Sequence, residues 1–318
     1  MDTTLDAQVA VKEKKRHALL VDVFIRLVKT KPLGVVGGVI VLLLFFVGIF
    51  ADVLAPYGYN EIDMAVRLGA PSPDHLLGVD NVGRDLLSRI IYGARISMIV
   101  SLAASGISTV GHLVLGTISG YVGGKTDLAI QRLNDAVQAI PTLLFLLSVM
   151  AIVGPGLWQV VFVLGLHSAL ISRSTRSYVI AIKGNMYFES ARAIGASTSR
   201  IIMKHVVPNI LPMVIIQFSL SMGRMILTEA TLSFLGFGIP PPFPSWGGML
   251  SGAGRRYMLL APGLMFWPGM ALAIVVWGIN MLGDALRDLL DPRLRGGIGR
   301  YGGMTQEKLI KLIDKRRG

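Results

Sequence analysis

Residues 189–208 read ESARAIGASTSRIIMKHVVP, and this stretch lies between two segments that are almost wholly apolar. Together with the residues just before it, the stretch shows helical periodicity. One face of the predicted helix would carry Tyr187, Phe188, Ala191 and Ile194. Gly195 follows at the position where a helix C-terminus favours a left-handed residue. The first half of the stretch therefore predicts a short helix that ends in a glycine turn.

The second half of the stretch predicts another short helix. Its cap can come from one of three hydroxyl side chains, Ser197, Thr198 or Ser199. We expect this helix, SRIIMKHVV, to end at Pro208, because proline lacks the backbone N–H that a helix uses. Two short helices joined by a tight turn present a compact face that suits docking into a groove on a soluble partner. The alternative is a solvated loop with one helical turn.

The rest of the chain is rich in apolar residues. Of its 318 residues, 53% are hydrophobic and 16% are charged, whereas soluble domains have about 45–50% and about 25%. A membrane-spanning helix needs about 20 mainly apolar residues. Six segments meet this requirement: 33–55, 95–122, 137–154, 157–175, 209–235 and 260–285. The sequence therefore predicts an all-α polytopic membrane protein with six transmembrane helices.

The positive charge of the chain is distributed unevenly between its loops. The formal net charge is +12, but the basic residues form no single patch with interleaved aromatic residues, which argues against a nucleic-acid partner. The two long loops predicted to lie outside, 56–94 and 236–259, hold only Arg67, Arg84, Arg89, Arg255 and Arg256. By the positive-inside rule, both termini are predicted to be cytoplasmic.

Motifs for catalysis, metal binding or nucleotide binding do not emerge from the sequence. The chain has no cysteine, and its five histidines form no HExxH pattern. The Gly-Lys-Thr at 124–126 has Ser119 where a phosphate-binding loop needs glycine, and it follows a predicted span rather than a strand. We therefore expect no catalytic residue, metal site or bound cofactor, and we interpret Gly120, Gly123 and Gly124 as a turn at the inner membrane surface.

Polar and proline-rich segments divide the chain into regions. These are a cytoplasmic N-terminal segment (1–32), a first transmembrane helix (33–55), an external loop (56–94), a five-helix core (95–286) and a basic cytoplasmic tail (287–318). The core includes the loop 176–208 and the external proline-rich loop 236–259. Two interpretations of residues 1–32 are open, a short interfacial helix that stops at Pro32 or a solvated lead. The end of the tail, MTQEKLIKLIDKRRG, fits an amphipathic helix on lipid or on a partner, or solvated charge.

The proline-rich loop contains FGIPPPFPSWGGML. Its prolines exclude a continuous helix and its glycines permit tight turning. We predict an element that bends back or lies on the membrane surface, with Phe243 and Trp246 as anchors at the membrane interface. The alternative is an ordinary ordered loop.

The opening stretch resembles the EAA loop of permease subunits of bacterial ABC importers. That pattern is Glu-Ala-Ala, three residues, Gly, nine residues, then Ile-x-Leu-Pro. The matching positions are Glu189, Ser190, Ala191, Gly195 and Pro208. This chain departs from the pattern with Ser190 for the first Ala, His205 for Ile and Val207 for Leu.

Four longer stretches resemble one branch of these permeases, the second permease of the dipeptide, oligopeptide and nickel importers. They are HLLGVDNVGRDLLSRIIYGARIS at 75–97, GYVGG at 120–124, EATLSFLGFGIPPPFPSWGGML at 229–250 and NMLGDALRDLLDPRLRG at 280–296. The resemblance covers about residues 20–296, which is most of the chain.

The resemblance implies a type I ABC importer permease fold in a bacterial or archaeal cytoplasmic membrane. It also implies three kinds of partner: a second homologous permease subunit, two cytoplasmic ATP-binding subunits that use ATP and Mg²⁺, and an extracellular or periplasmic solute-binding protein. The residues expected in the ATPase-coupling helix and its turn are Glu189, Ser190, Ala191, Gly195 and Ala196. The expected solute is a di- or oligopeptide. The alternatives are nickel or another solute and, from a different class, an ATP-independent channel or scaffold.

Two charged residues, Arg224 and Glu229, fall inside the predicted fifth span. A charge there costs about 2.5–3.5 kcal/mol, so we expect both side chains to face the bundle or an interface. On an ideal helix they point about 140° apart, which makes them poor partners for each other. One or both could line the solute path, with Arg224 favouring a carboxylate. Alternatively, Glu229 could pair with the second permease or lie at the outer interface. We interpret His112 and His167, also within spans, as packing residues with satisfied hydrogen bonds.

Overall fold

The computed structural model describes residues 19–290, and this part of the chain is built from helices. The α-helices are α1 (Leu19–Thr30), α2 (Pro32–Ile49), α3 (Ala51–Leu54), α4 (Leu86–Val122), α5 (Gly124–Ala139), α6 (Thr142–Val153), α7 (Leu157–Ala169), α8 (Arg173–Lys183), α9 (Met186–Ala193), α10 (Thr198–Ile201), α11 (Val207–Phe234), α12 (Trp246–Met249), α13 (Arg255–Tyr257) and α14 (Gly263–Leu290). A 3-10 turn forms at Met64–Val66, and π-helical turns form at Ile202–Val206 and Leu250–Gly254. The predictions for residues 1–18 and for the tail beyond Leu290 lie outside the described residues.

Helices long and apolar enough to cross a membrane make up most of the described chain. There are five of them, or six if one sharply bent pair counts as a single span. The five are Pro32–Ile49, Leu86–Val122, Leu157–Lys183, Thr198–Phe234 and Gly263–Leu290. Of these, Leu157–Lys183 combines α7 and α8, and Thr198–Phe234 combines α10, the first π-helical turn and α11. The all-helical, multi-span architecture predicted from the sequence is therefore confirmed, with changes at particular boundaries.

The second span begins at Leu86 rather than at residue 95. Asp85 caps the helix, because its Oδ2 atom accepts a 2.7 Å hydrogen bond from the Ser88 backbone N–H. Arg89, which the sequence analysis placed in the external loop, is buried in the first turns of α4. Its Nη1 atom donates to the Tyr59 carbonyl at 2.9 Å. The charge of Arg89 therefore does not mark the end of the span, because a nearby loop supplies a hydrogen-bond partner for the buried guanidinium.

The third span is not the continuous helix predicted at 137–154. The helices α5 and α6 meet at Ile140 and Pro141 with a bend of 87°. Proline disfavours the α conformation in the residue before it, and Ile140 is extended with φ −92° and ψ 128°. At 12 residues α6 is about 18 Å long, which is too short to cross a bilayer core alone.

The long helix α4 connects two ends of the molecule that are about 55 Å apart. At its start, the Ile90 carbonyl accepts a hydrogen bond from Trp246 Nε1 at 3.1 Å. At its last turn, Tyr121 packs with Val179 and Phe188 in a buried apolar cluster. We call these the proline-rich end and the α9 end.

The first and last described spans, α2 and α14, pack against each other through glycines. A Cβ on Gly37 would lie 2.4 Å from the Gly278 carbonyl oxygen, and a Cβ on Gly278 would lie 2.6 Å from the Ile40 side chain. Such close backbone approach is typical of small residues at helix contacts in membranes. This contact holds the first span against the rest of the bundle.

The proline-rich loop bends back onto the bundle, as predicted. Its short helix α12 lies so close to α11 that a Cβ on Gly247 would be 2.1 Å from the Ala230 carbonyl oxygen. Trp246 is 2% exposed and belongs to the apolar core, so its prediction as an anchor at the membrane interface is wrong. Its large ring is buried because α12 turns inward. Phe243 is half exposed and stacks on Tyr59 with ring centroids 5.8 Å apart.

Candidate coupling site

The opening stretch forms the helix, turn and helix predicted for it. The helix α9 runs from Met186 to Ala193, and Gly195 has a φ of +81° in the left-handed region. Ser197 then caps the next helix, because its hydroxyl accepts a hydrogen bond from the Arg200 N–H at 3.4 Å. Two local signals, a glycine and a hydroxyl side chain, thus reverse the chain within a few residues.

Pro208 does not end the second helix, so that prediction is wrong. The chain stays helical from Thr198 to Phe234 and passes directly into the fifth span. A π-helical turn at Ile202–Val206 precedes the proline, with the Val207 N–H bonded to the Ile202 carbonyl. Pro208 is the second residue of α11, and the π-helical turn before it lets the helix continue although the proline lacks a backbone N–H. Movement of the glycine turn can therefore be passed along an unbroken helix into the membrane.

The two faces of α9 have opposite environments. Phe188 is 1% exposed, and Ala191 is also buried in the cluster that contains Tyr121, Val179 and Ile201. Glu189 and Ser190 are exposed. Ile194, predicted on the same helical face as Phe188 and Ala191, is instead 86% exposed, because it follows the last residue of α9 and leaves the helical register.

Exposed apolar side chains flank the turn. Met186 is 83% exposed at the start of α9, and Ile194 protrudes at its end. Gly195 is exposed, and Ala196 is half-buried against the apolar cluster. Of the five predicted coupling residues, three are therefore on the surface of the unit, while Ala191 and Ala196 hold it to the bundle.

The segment before α9 is fixed to two neighbouring helices by polar contacts. Lys183 Nζ donates to the Tyr121 carbonyl at 2.6 Å, which joins α8 to the end of α4. Arg176 makes two hydrogen bonds of 2.6 Å to the Asp127 carboxylate on α5. Asp127 also accepts a 2.5 Å hydrogen bond from the Ser119 hydroxyl. A second ion pair, Arg173 with Asp135, joins the same two helices.

The link between α5 and α8 was not predicted from the sequence. Asp127 follows directly after the Gly-Lys-Thr that resembles part of a phosphate loop, and it is an acidic residue in a segment that was predicted to be cytoplasmic from its basic residues. This acidic residue is the feature of the sequence that could have indicated an ion pair with a neighbouring basic segment. Of the three glycines predicted to form a turn, Gly123 and Gly124 have positive φ and connect α4 to α5. The prediction is wrong for Gly120, which lies inside α4 and packs closely against Val179.

Arg224 and Glu229 lie on different sides of α11. Arg224 is exposed on the surface of this chain. Glu229 is 1% exposed, and its Oε1 atom accepts a 2.7 Å hydrogen bond from the Ser233 hydroxyl. It also forms a side-chain hydrogen bond with Ser245, which caps α12. The structure thus encloses Glu229 within this chain, where it joins the fifth span to the proline-rich loop.

The two histidines within spans are both buried. His112 Nε2 lies 2.6 Å from the Ser168 carbonyl, in agreement with a satisfied packing residue. His167 stacks on Phe145 with ring centroids 4.8 Å apart, but its ring nitrogens have no hydrogen-bond partner within the described residues. The prediction of satisfied hydrogen bonds is therefore correct for His112 and wrong for His167. The aromatic contact explains how the His167 ring packs without a polar partner.

Comparison with known proteins gives a consistent match over most of the chain. Residues 112–296 match the family described as the binding-protein-dependent transport system inner membrane component. Residues 19–71 match the N-terminal transmembrane domain of oligopeptide transport permease C. The first match includes α9, the glycine turn and the proline-rich loop.

Curated relatives cover nearly the whole chain. The dipeptide transport system permease protein DppC of Alkalihalophilus pseudofirmus is 38% identical over 268 residues, which is 84% of this chain and 88% of that protein. The oligopeptide transport system permease protein OppC of Bacillus subtilis is 35% identical over 283 residues, 89% of this chain and 92% of that protein. The glutathione transport system permease protein GsiD of Pectobacterium atrosepticum is 38% identical over 264 residues, 82% of this chain and 87% of that protein.

These matches agree with the bundle of spans and with the helix, turn and helix at the α9 end. A permease of a binding-protein-dependent system works with an ATPase and a solute-binding protein, and it does not itself catalyse ATP hydrolysis. The chain belongs to the family of binding-protein-dependent transport system inner membrane components, and it is a multi-pass permease subunit of an ABC importer.

Proposed function

We propose that this permease imports di- or oligopeptides together with a second homologous permease, and that two cytoplasmic ATP-binding subunits supply ATP and Mg²⁺ chemistry. The dipeptide and oligopeptide permeases among its relatives support this solute class. The relative named for glutathione transport concerns another small peptide-like solute. The solute-binding protein would deliver the peptide to the proline-rich end.

The observation that carries the coupling role is the two-sided character of α9. Phe188 and Ala191 attach the helix to the bundle, while Met186 and Ile194 project apolar surface away from it. An amphipathic helix with exposed apolar ends is suited to a groove on a soluble protein. In this proposal the ATPases bind Glu189, Ser190 and the Gly195 turn.

The proposed mechanism depends on how the segments before and after α9 are connected to the spans. Toward the C-terminus, the helix from Thr198 runs into the fifth span without a break. Toward the N-terminus, α8 is fixed to α5 by Arg176 and Asp127. Closure of the ATPases would move α9 as a rigid body and would shift both the fifth span and the bent third span. Such a displacement is a two-state element of the kind that alternating access requires.

The orientation of the chain follows from the same proposal. The α9 end lies in the cytoplasm with the ATPases, as do both termini, and the proline-rich end lies outside. Arg224, exposed on the fifth span, faces the second permease and lines the path between the two subunits. A single arginine there would attract the carboxylate of a peptide.

Affinity purification of the tagged chain from its native membranes tests the proposal. Mass spectrometry of the wild-type sample should find a second permease and the ATPases, and a Gly195→Pro variant should lose the ATPases, because proline cannot adopt a φ of +81°. Uptake of peptides by the assembled transporter tests the solute class. ATPases that stay bound to the variant would refute docking at α9, and purification of the chain alone would favour a channel or scaffold that works without ATP.

A further inference from the structure

A cavity of about 480 Å³ lies at the proline-rich end, between the start of α4, the proline-rich loop and the start of α14. Its wall includes three arginines, Arg84, Arg89 and Arg256, but Asp80 is its only carboxylate within the described residues. A volume of this size is ordinary for a small-molecule site. The cavity wall therefore has more positive than negative side chains, which favours an anion as its ligand.

Asp80 has little remaining capacity to neutralise the cavity. Its Oδ1 atom accepts hydrogen bonds from the backbone N–H groups of Val82 and Arg84, at 2.9 and 3.0 Å. Its Oδ2 atom accepts a hydrogen bond from Arg84 Nε at 2.8 Å and lies 3.6 Å from Arg89 Nε. The carboxylate is therefore fully used in fixing these two arginines.

Two further hydrogen bonds hold the Arg89 guanidinium in place in the cavity wall. Its Nη1 atom donates to the carbonyl oxygens of Tyr59 and Pro242, at 2.9 and 3.4 Å. These partners are neutral, so they orient the guanidinium without cancelling its charge. The loop 56–85, the proline-rich loop and α4 thus meet at one positive group.

Arg256 is the cation that remains available. It lies on α13 and lines the cavity, its side chain is exposed, and no ion pair engages it within residues 19–290. The neighbouring Arg255 is also exposed but is not part of the cavity wall. Arg256 can therefore donate two parallel hydrogen bonds to an incoming planar anion, a geometry that suits a carboxylate.

Glu229 does not remove the excess of positive charge. It lies behind the wall, hydrogen-bonded to Ser233 and Ser245, both of which line the cavity. Even if Glu229 carries a full negative charge, the three arginines exceed the two carboxylates. A recess with an excess of positive charge and low-dielectric walls concentrates anions.

We propose that this cavity is a receiving site for the carboxylate of the incoming solute, with Arg256 as the group that binds it and with Arg84 and Arg89 supplying the positive field. The proposal rests on the proposed function, since it takes the proline-rich end as external and the solute as a peptide. The size of the cavity favours a small solute over a protein loop as the source of the carboxylate. The cavity holds the peptide between its release from the binding protein and its entry into the path.

The test uses the complete transporter in liposomes, with its permease partner, ATPases and binding protein. The solute is a defined mixture of di-, tri- and tetrapeptides with free carboxylates, and mass spectrometry quantifies the peptides taken up. We expect Arg256→Gln to lower uptake about tenfold at subsaturating peptide, as loss of a charged hydrogen bond would. Arg256→Lys should retain most of the uptake, and Arg255→Gln, the matched control, should behave as wild type.

Two further readouts identify the source of the carboxylate. The affinity of the transporter for the loaded binding protein should be unchanged in Arg256→Gln, and ATP hydrolysis should continue, so that fewer peptides enter per ATP. Weaker binding of the loaded protein would overturn the proposal, because the cavity would then recognise an acidic side chain of that protein. Equal uptake by wild type and Arg256→Gln would also overturn it, while leaving the peptide importer intact. Failure of the wild type to take up any peptide would refute the proposed function and the inference together.

Discussion

The Arg176 guanidinium donates two hydrogen bonds of 2.6 Å to the Asp127 carboxylate and so joins α8 to α5. The two residues are 49 positions apart in the chain. Arg176 lies on the helix that leads into α9, and Asp127 lies on the first half of the bent third span. Because the pair is planar and bidentate, it fixes orientation as well as distance. In the proposed mechanism, this pair would pass a displacement of α9 to α5, together with the second ion pair between Arg173 and Asp135.

The first prediction concerns this ion pair. In Asp127→Asn, one oxygen becomes an amide nitrogen that repels the guanidinium, so α8 and α5 lose their fixed orientation. A partly exposed ion pair contributes up to about 1 kcal/mol, and we expect peptides imported per ATP hydrolysed to fall about fivefold. The ratio is measured in liposomes that contain the complete transporter.

The matched control for this prediction is Arg132→Gln on the same helix. Arg132 is mostly exposed and contacts Asp135 at 3.5 Å within its own helix, so its loss should leave the ratio unchanged. The exchange Asp127→Arg with Arg176→Asp should recover part of the coupling. If Asp127→Asn transports with wild-type stoichiometry, the link between α5 and α8 has no role in coupling.

The second prediction concerns the Gly195 turn. Gly195→Ala meets no atom within 4 Å, so its only penalty is the left-handed φ of +81°. An L-residue in that conformation costs about 1–2 kcal/mol. We expect retention of the ATPases during purification to drop about tenfold. Gly184→Ala is the control, because Gly184 has a φ of −79° and is equally open. Equal loss in both variants would show that small size, and not backbone conformation, is what the ATPase requires.

The third prediction separates a structural role of Glu229 from a place in the solute path. Glu229→Ala leaves the Ser233 hydroxyl without its acceptor and removes the contact with Ser245. Loss of such buried hydrogen bonds costs about 1–3 kcal/mol each. We expect a lower midpoint of thermal unfolding and an unchanged pattern of transported peptides. Thr231→Ala on the same helix should change neither, because the Thr231 hydroxyl bonds to the Leu227 carbonyl and to no other group in the described part of the chain. If the variant transports a different set of peptides at normal stability, Glu229 lines the solute path.

The fourth prediction concerns Arg224, which is exposed in the middle of the fifth span. If it lines the path, Arg224→Gln should reduce uptake of peptides with free carboxylates, because the charge-assisted hydrogen bond is lost. Arg224→Lys keeps the charge and should retain more transport. The test compares the kinetics of peptide transport by wild type, Arg224→Gln and Arg224→Lys at matched expression. Unchanged kinetics in Arg224→Gln would exclude a role of Arg224 in the solute path.

Local sequence signals predicted the α9 end well. A glycine, a hydroxyl cap and helical periodicity act within a few residues of one another, so the sequence predicted the conformation of Gly195 and narrowed the helix cap to three residues, of which the structure uses Ser197. Pro208 failed as a stop signal because the π-helical turn before it accommodates the missing backbone N–H, so the helix continues from Thr198 into the fifth span. The local sequence did not predict that π-helical turn.

Contacts between distant parts of the chain could not be predicted in the same way. The pairing of Asp127 with Arg176 and of Arg89 with the Tyr59 carbonyl depends on how helices and loops pack, and no local spacing reveals it. Charge was also misleading within spans. Arg89 is a helix residue with buried partners, and Glu229 is enclosed by two serines, although both read as functional or loop positions in the sequence.

The fifth prediction compares two adjacent glycines that the sequence could not distinguish. Both Gly247 and Gly248 were expected to permit tight turning, yet neither has a positive φ. Gly247 is needed for a different reason, because its backbone lies against α11 and a Cβ there would be 2.1 Å from the Ala230 carbonyl oxygen. Gly248 faces only the Ser245 hydroxyl, 3.1 Å from an added Cβ.

We therefore expect Gly247→Ala to displace the proline-rich loop and to lower the yield of folded protein in detergent, whereas Gly248→Ala should be nearly neutral. Displacement of α12 would also move Ser245 away from Glu229 and Trp246 away from Ile90, so the cost includes two buried hydrogen bonds. Size-exclusion chromatography and thermal unfolding of the two variants measure the difference. Equal behaviour of the two variants would mean that α12 is not held against α11, and that the cavity at the proline-rich end lacks a fixed wall.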